Sequence, residues 1–239
     1  IKVASMHLNE ESDMTLITPS LWPPEGTDLL VLPEYSGILK YKDYKKMLKR
    51  LSKDGIAITS IDNGRSPTGT NRIIVLNRDG YVVSSEDKTF LIPTGEYIPY
   101  ALQLGFRLIG KSQALVDFRY SQQLTKGRHA ETPIITHNGL TVGALACSGV
   151  GSLNGYRTLS RDGSDILTNS ASLAFLLPNS IYHTYARNMA RFQAVSNNKA
   201  FIQASRSGQS YIIDNQGSFI ARSSSQQDQL LTAEIQLSN

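Results

Sequence analysis

Gly143-Ala144-Leu145-Ala146-Cys147-Ser148-Gly149 places the only cysteine of the chain at the end of a predicted strand and directly before a glycine turn. The strand covers Leu140–Ala146, and the Asn138-Gly139 turn signal pairs it with Pro133–Thr136 in a hairpin. Reactive groups of α/β proteins collect where strands end. Cys147 is therefore a candidate nucleophile, although a lone cysteine more often only fills space in the core.

Two further polar groups also follow predicted strands. Glu34 lies in the segment Val31-Leu32-Pro33-Glu34-Tyr35, directly after an apolar strand. Lys88 follows a predicted hairpin. Each also has a simpler explanation. Glu34 fits a helix cap or a solvent-exposed position, and Lys88 fits a surface ion pair with Glu86 or Asp87, which contributes little stability.

Together, the three groups suit acyl transfer if one sheet brings the strand ends together. A thiol with a pKa near 8.5 is mostly protonated at neutral pH and needs activation. A carboxylate within hydrogen-bond reach can accept its proton as a general base. An ammonium group nearby can stabilise the thiolate and then the oxyanion of a tetrahedral intermediate. We therefore expect Glu34, Lys88 and Cys147 to converge within roughly hydrogen-bond or one-water reach.

The rest of the chain alternates buried strands, hairpins and amphipathic helices, without a linker or a repeat. The predicted strands are Ile1–Met6, Leu29–Leu32, Ile56–Ile61, Arg72–Leu76, Tyr81–Ser84, Pro133–Thr136, Leu140–Ala146, Ile166–Thr168, Ala200–Ala204, Gln209–Ile213 and Ser218–Ala221. The predicted helices are Lys42–Lys53 and Tyr182–Ser196, the second with a buried face made of Tyr182, Tyr185, Met189, Phe192 and Val195. This pattern predicts one α/β domain with a mixed sheet over residues 1–239.

Composition narrows the functional classes. Hydrophobic residues make up 40% of the 239 residues, which argues against disorder. The net charge is 24 − 20 = +4, too small by itself to indicate nucleic-acid binding. One cysteine excludes an intrachain disulfide, and we find no spacing typical of metal ligands. No apolar run reaches the roughly 18 residues that a membrane span requires.

These segments resemble the nitrilase superfamily of carbon–nitrogen hydrolases, whose members carry Glu, Lys and Cys in this chain order. The nearest similarity is to the bacterial apolipoprotein N-acyltransferases, whose lysine motif resembles Lys88 followed by Leu91-Ile92-Pro93-Thr94-Gly95-Glu96-Tyr97-Ile98-Pro99. The resemblance implies a four-layer α-β-β-α sandwich. It also implies Glu34 as general base, Lys88 as oxyanion stabiliser, Cys147 as nucleophile and Glu96 as a supporting glutamate.

Two places depart from the N-acyltransferase pattern. Ser148 and Gly149 stand where those enzymes commonly carry an aromatic residue and a glutamate, and Ser172-Leu173-Ala174-Phe175-Leu176 replaces another family segment. We place Ser148 and Phe175 among the substrate-binding or supporting residues. The departures concern the substrate more than the chemistry.

The resemblance implies N-acyl transfer through a thioester on Cys147, from a phospholipid donor to the N-terminal amine of a lipoprotein, without a metal or an organic cofactor. Because the chain begins at Ile1 and not at Met, we expect a domain cut from a longer membrane protein, on the extracytoplasmic side of the bacterial cell membrane. The alternatives are a soluble amidase, a cytoplasmic location, or a non-catalytic binding domain with a degenerate pocket.

Three secondary features carry open interpretations. The apolar run Leu173–Pro178 is either a route for a lipid chain or a buried loop. The basic stretch from Lys40 to Lys53 is either a solvated helix face or a contact for anionic lipid head groups. His183 is a weaker candidate than Glu34 for pairing with Cys147.

Overall fold

The computed structural model describes residues 1–9, 12, 17–63, 69–93, 96–121, 124–127, 134–135, 139–174, 181–224 and 227–237. Its strands are β1 (Lys2–His7), β2 (Thr27–Glu34), β3 (Leu51–Asn63), β4 (Thr70–Asn77), β5 (Val82–Asp87), β6 (Ile134–Ile135), β7 (Thr141–Ala146), β8 (Ile166–Ser172), β9 (Ala200–Arg206), β10 (Tyr211–Ile213), β11 (Phe219–Arg222) and β12 (Gln229–Glu234). Its α-helices are α1 (Tyr44–Leu48), α2 (Tyr100–Leu108), α3 (Ser112–Ser121), α4 (Leu153–Arg161) and α5 (Ile181–Asn197). Short 3₁₀ helices cover Pro19–Leu21, Ile38–Lys40 and Cys147–Gly151.

The strands form two six-stranded sheets, in the orders β12-β1-β2-β3-β4-β5 and β11-β10-β9-β8-β7-β6. At the centre of each sheet the strands are parallel: β1, β2 and β3 in the first, and β7, β8 and β9 in the second. Antiparallel strands extend both sheets at their edges. Parallel strands end on the same side of a sheet, so each sheet gathers its strand ends in one place.

Apolar side chains fill three layers. Between the sheets lie Val3, Leu29, Val31, Ile56, Ile58, Ile73, Val75, Val142, Ala144, Ile166, Ile202 and Ile212. The outer face of the first sheet packs against α1 and the neighbouring loops, and the outer face of the second packs against α4 and α5. This arrangement confirms the predicted α/β class and the four-layer α-β-β-α sandwich.

The predicted helix Lys42–Lys53 is wrong in its second half. The helix ends at Leu48, and Leu51 begins β3. Leu51 is only 2% exposed and pairs with Thr27 of β2. Its apolar side chain, which matched a helical face in the sequence, is buried by the sheet.

The predicted buried face of α5 is also wrong in part. Phe192 and Val195 are 51% and 54% exposed. The residues of α5 that are buried are mostly small: Ala186, Ala190, Gln193 and Ala194. Small side chains let the helix lie close to the second sheet, where large residues such as Phe201 and Tyr211 already fill the space. Helices α2, α3 and α4 and strand β12 were not predicted from the sequence.

Candidate active site

Three side chains from three different strand ends meet at one edge of the sandwich. Glu34 is the last residue of β2, and Lys88 directly follows β5. Cys147 directly follows β7 and begins the 3₁₀ helix Cys147–Gly151. All three are buried, with at most 6% of each residue exposed. The structure therefore brings together the three residues that the sequence singled out.

The backbone at this edge is strained. Cys147 has a φ of 47° and Tyr35, next to Glu34, has a φ of 52°. Residues other than glycine seldom adopt this left-handed conformation, and such strain is concentrated at functional sites. The turn that presents Cys147 is thus made by the cysteine itself. Gly149 is needed for a different reason, because a Cβ there would lie 2.6 Å from the Cβ of Leu145.

Lys88 lies between two carboxylates. Its Nζ is 4.0 Å from Oε1 of Glu34 and 2.5 Å from Oε1 of Glu96. Ser172 contacts both Glu34 and Cys147, and its backbone N–H donates to Oε2 of Glu34 at 3.1 Å. The sulfur of Cys147 lies 3.7 Å from the backbone oxygen of Ser172. One thiol, two carboxylates and one ammonium group therefore share a single, largely buried site.

Two donors that the sequence did not single out hold Glu34 in place. The Nδ2 of Asn71 on β4 donates to Oε1, and the backbone N–H of Ser172 on β8 donates to Oε2 at 3.1 Å. These bonds come from both sheets. The orientation of the carboxylate is therefore set by the sandwich as a whole.

Glu96 holds Lys88 from the other side, as the resemblance implied. Its Oε2 accepts hydrogen bonds from the backbone N–H of Ile92 at 2.8 Å and from the hydroxyl of Ser148 at 3.3 Å. Ser148 is thus placed among the groups that support Lys88, and it is itself buried. The carbonyl of Phe90 is a second acceptor, 3.3 Å from the same hydroxyl.

Burial controls the proton affinities of the site. It raises the pKa of the Cys147 thiol well above its ordinary range, the charge of Glu34 adds to the rise, and Lys88 opposes it. Burial, with the charge of Glu96 adding to it, also raises the pKa of Glu34, although Lys88, Cys147 and Asn71 oppose the rise. Burial disfavours the ammonium of Lys88, but the charges of Cys147, Glu34 and Glu96 outweigh it and raise the pKa of Lys88.

In the resting site the Cys147 thiol therefore keeps its proton. A thiolate would place another negative charge beside Glu34, in a site that water cannot screen. Deprotonation of the thiol therefore requires a proton acceptor inside the site. This arrangement suits general-base activation better than a preformed thiolate.

A family model described as carbon-nitrogen hydrolase matches residues 23–239 of the chain. The chain belongs to the carbon–nitrogen hydrolase family. It is 29% identical over 201 residues to an apolipoprotein N-acyltransferase of Aquifex aeolicus. The aligned region covers 81% of this chain and 42% of the relative. The chain is 26% identical over 226 residues to an apolipoprotein N-acyltransferase of Geobacter metallireducens, covering 88% of this chain and 40% of the relative.

Solved structures show the same fold. A crystal structure of an amidase from Nesterenkonia sp. superposes with a TM-score of 0.68 at 14% identity, covering 98% of this carbon–nitrogen hydrolase and 90% of the amidase. At that identity the likeness concerns the fold alone. The chain spans about two fifths of the length of the two N-acyltransferases.

The sequence also made the run Leu173–Pro178, with Phe175, and His183 candidates for roles at the site of this carbon–nitrogen hydrolase. Phe175 and the rest of the run up to Pro178 lie outside the described residues. Leu173 is only 4% exposed, so it is a core residue and does not belong to an exposed apolar patch. His183 packs against Gly208, and its ring is not among the groups that interact with Cys147 in the described part of the chain.

The basic stretch lies far from the site. Lys49 forms an ion pair with Asp79, and the Lys45 ammonium lies 5.3 Å from the ring centre of Tyr81. Both partners belong to the β4–β5 turn, at the end of the sheet opposite Glu34. Lys45 and Lys49 therefore lie at the opposite end of the first sheet from Glu34.

Asn169 is another residue that the sequence did not single out for a role. Its Nδ2 donates to the backbone oxygen of Cys147 at 3.1 Å and to Oε1 of Gln203 at 3.1 Å. It lies in the middle of β8, next to the strand that presents the cysteine. It directly follows the predicted strand Ile166–Thr168, so its position in the sequence could have identified it. Asn71, in contrast, lies near the start of β4 and follows no predicted strand.

Within the described residues, no group of three or more His, Cys, Asp and Glu side chains is arranged to hold a metal ion. In the same part of the chain, no helix has both the length and the apolar character needed to cross a membrane.

Proposed function

We propose that this chain is an N-acyltransferase that forms a thioester on Cys147 and passes the acyl group to an amine. The observation that carries the proposal is that Ser172 contacts both the sulfur of Cys147 and the Glu34 carboxylate, with the Lys88 ammonium 4.0 Å from that carboxylate. A nucleophile, its general base and a cation for the oxyanion are the groups that acyl transfer requires.

In the first half-reaction, the sulfur of Cys147 attacks the carbonyl carbon of an acyl ester while Glu34 takes the thiol proton. The negative charge leaves Glu34 and appears on the oxyanion, so the total charge of the site does not change. Lys88 can stabilise the charge in both positions, and Glu96 keeps its ammonium in place. The intermediate collapses to the thioester, and the alcohol leaves with the proton from Glu34.

In the second half-reaction, a neutral amine attacks the thioester and Glu34 accepts its proton. Collapse of this intermediate forms the amide and releases the sulfur, which recovers the proton from Glu34. Each proton that Glu34 accepts is returned within the same half-reaction. No cofactor takes part in these steps.

The names of the relatives guide the choice of substrates. Two N-acyltransferases match more than four fifths of this chain. We infer that the donor is a phospholipid and the acceptor the N-terminal amine of a lipoprotein. We further infer that residues 1–239 form the single catalytic domain of a longer protein on the extracytoplasmic side of a bacterial membrane.

An amidase is the second candidate. Ser148 and Gly149 occupy positions where the N-acyltransferases resembled by this chain commonly have an aromatic residue and a glutamate. In this alternative Cys147 forms the same thioester from an amide, and water replaces the amine as acceptor. The two candidates share the first intermediate and differ in what resolves it.

Intact-mass spectrometry tests the thioester directly. The wild-type chain is incubated with a diacyl phospholipid in detergent micelles, and a mass increase of one acyl group that neutral hydroxylamine removes is the expected result. Cys147→Ala should form no adduct and lose turnover by on the order of 10³-fold or more. An acyl adduct that persists on Cys147→Ala would refute the assignment.

The acceptor is then identified by adding a peptide with a free N-terminal amine. Formation of the N-acyl peptide supports the acyltransferase, whereas release of free fatty acid at the same rate with and without the peptide supports hydrolysis. Failure of the wild type to form an adduct with either esters or amides would favour the non-catalytic binding domain.

A further inference from the structure

Helix α2 is apolar but contributes nothing to the core. None of its nine residues is buried. Tyr100, Leu104 and Leu108 are 78%, 48% and 78% exposed, and they follow one another at intervals of four. Residues with this spacing lie on one face of a helix. We refer to these three side chains as the α2 ridge.

Helix α5 differs from α2 in having a buried face. It also exposes large apolar residues, Phe192 among them, but its other side packs against the core. Helix α2 has no such anchor. A helix this short is marginal in water, and most helical stability in proteins comes from burying an apolar face. An apolar surface that stays exposed at such a place marks an interaction site.

The charges around α2 indicate what the partner is like. From Tyr97 to Val116 the sequence contains no Asp or Glu, and its charged residues are Arg107 and Lys111. Both residues are exposed. Arg107 lies in the last turn of α2, and Lys111 follows the end of the helix. A short helix with an apolar face and only basic charges is typical of segments that lie in the interface of an anionic membrane.

The position of α2 links this surface to the site. The helix begins four residues after Glu96, whose carboxylate lies 2.5 Å from the ammonium of Lys88. Four residues span at most about 14 Å even when fully extended. The α2 ridge therefore begins close to the site, on the polypeptide that carries one of its carboxylates.

We propose that the α2 ridge docks on an anionic lipid surface and so brings the acyl donor of this enzyme to Cys147. The inference rests on the proposed function, because it supplies the membrane contact that a phospholipid donor requires. Tyr100, Leu104 and Leu108 enter the boundary between head groups and acyl chains, while Arg107 and Lys111 stay at the level of the phosphates.

Sedimentation with vesicles tests the docking. Wild-type protein is mixed with vesicles of phosphatidylglycerol and phosphatidylcholine, and with vesicles of phosphatidylcholine alone. Binding should be stronger to the anionic vesicles and should weaken as NaCl is raised. Leu104→Ser/Leu108→Ser should lower the partition coefficient by on the order of tenfold or more, because two exposed leucines no longer enter the lipid. Arg107→Glu/Lys111→Glu should lose only the preference for phosphatidylglycerol.

The matched control is Ile181→Ser/Phe192→Ser, which makes two comparable exchanges at exposed positions of α5. It should bind vesicles as the wild type does. Equal loss in both double variants would overturn the assignment of the surface to α2. Unchanged binding of Leu104→Ser/Leu108→Ser would overturn the proposal. So would conversion of a lipid-free dimer to a monomer by that variant in light scattering, because the ridge would then be a contact between two copies.

A water-soluble ester separates this proposal from the proposed function. With p-nitrophenyl acetate, the Leu104→Ser/Leu108→Ser variant should acylate Cys147 at the wild-type rate, because α2 contributes no group to the thiol site. Lost vesicle binding with intact acylation supports the docking role. A wild-type chain that binds vesicles but never acylates Cys147 would refute the thioester and leave the lipid contact standing.

Discussion

Replacing Lys88 with Met tests the electrostatics of the site most directly. Met has nearly the length of Lys but carries no charge, so the exchange leaves the carboxylates of Glu34 and Glu96 without a cation. The Lys88 and Glu34 side chains are 3% and 4% exposed, and that of Glu96 is 17% exposed. Breaking a buried ion pair by removing one partner typically destabilises a protein by about 3–5 kcal/mol. For a domain of this size the melting temperature should fall by roughly 6–20 °C.

The loss of stability should depend on pH. Without Lys88, the folded state should hold a proton on the Glu34 carboxyl more tightly than the unfolded state does, because burial raises its pKa and the main opposing charge is gone. A carboxyl whose folded pKa is raised loses stability as the pH rises from its unfolded pKa to its folded pKa. The difference in melting temperature between Lys88→Met and the wild type should therefore be largest near pH 8 and should shrink toward pH 5.

Acylation by p-nitrophenyl acetate should fall by about two to three orders of magnitude, the usual effect of removing one stabiliser of an oxyanion. Adding Glu96→Gln should restore much of the melting temperature, because one of the two uncompensated charges is gone, but should restore no activity. Lys49→Met is the matched control: Lys49 is half-exposed and pairs with Asp79 at the surface, so its loss should hardly change either property. If Lys88→Met melts with the wild type at every pH, Lys88 does not compensate the buried carboxylates and the reasoning is wrong.

Two further variants examine the geometry of the charges. Lys88→Arg should acylate Cys147 almost as poorly as Lys88→Met, because a planar guanidinium does not fit a site built for a compact ammonium; near-normal rates would mean that only a diffuse positive field is needed. Asn71→Ala removes a donor to the Glu34 carboxylate and should raise its pKa further. Because acylation needs the carboxylate form, its rate falls as the pH drops through that pKa, and the acid limb of the rate profile should move to higher pH; an unmoved limb would mean that Glu34 is not the base.

Local patterns in the sequence were sufficient for the outline of the fold. The apolar run before Glu34 and the turn between β4 and β5 led to the correct strands, because a strand and its turn are determined by residues that are near one another in the chain. The same patterns placed Glu34, Lys88 and Cys147 at strand ends. The order of these three residues, together with the motif around Glu96, indicated the family that the comparison with known sequences then showed.

Long-range packing decided the rest. The backbone N–H that orients Glu34 belongs to Ser172, 138 residues away, and Asn71 reaches the same carboxylate across β3. Which face of α5 is buried depends on the large side chains already present on the second sheet, so its alanines face inward although Phe192 is more hydrophobic. The raised pKa values of Glu34 and Cys147 also come mainly from burial. Burial and cross-sheet contacts depend on the positions of distant residues in space, and no local pattern encodes those positions.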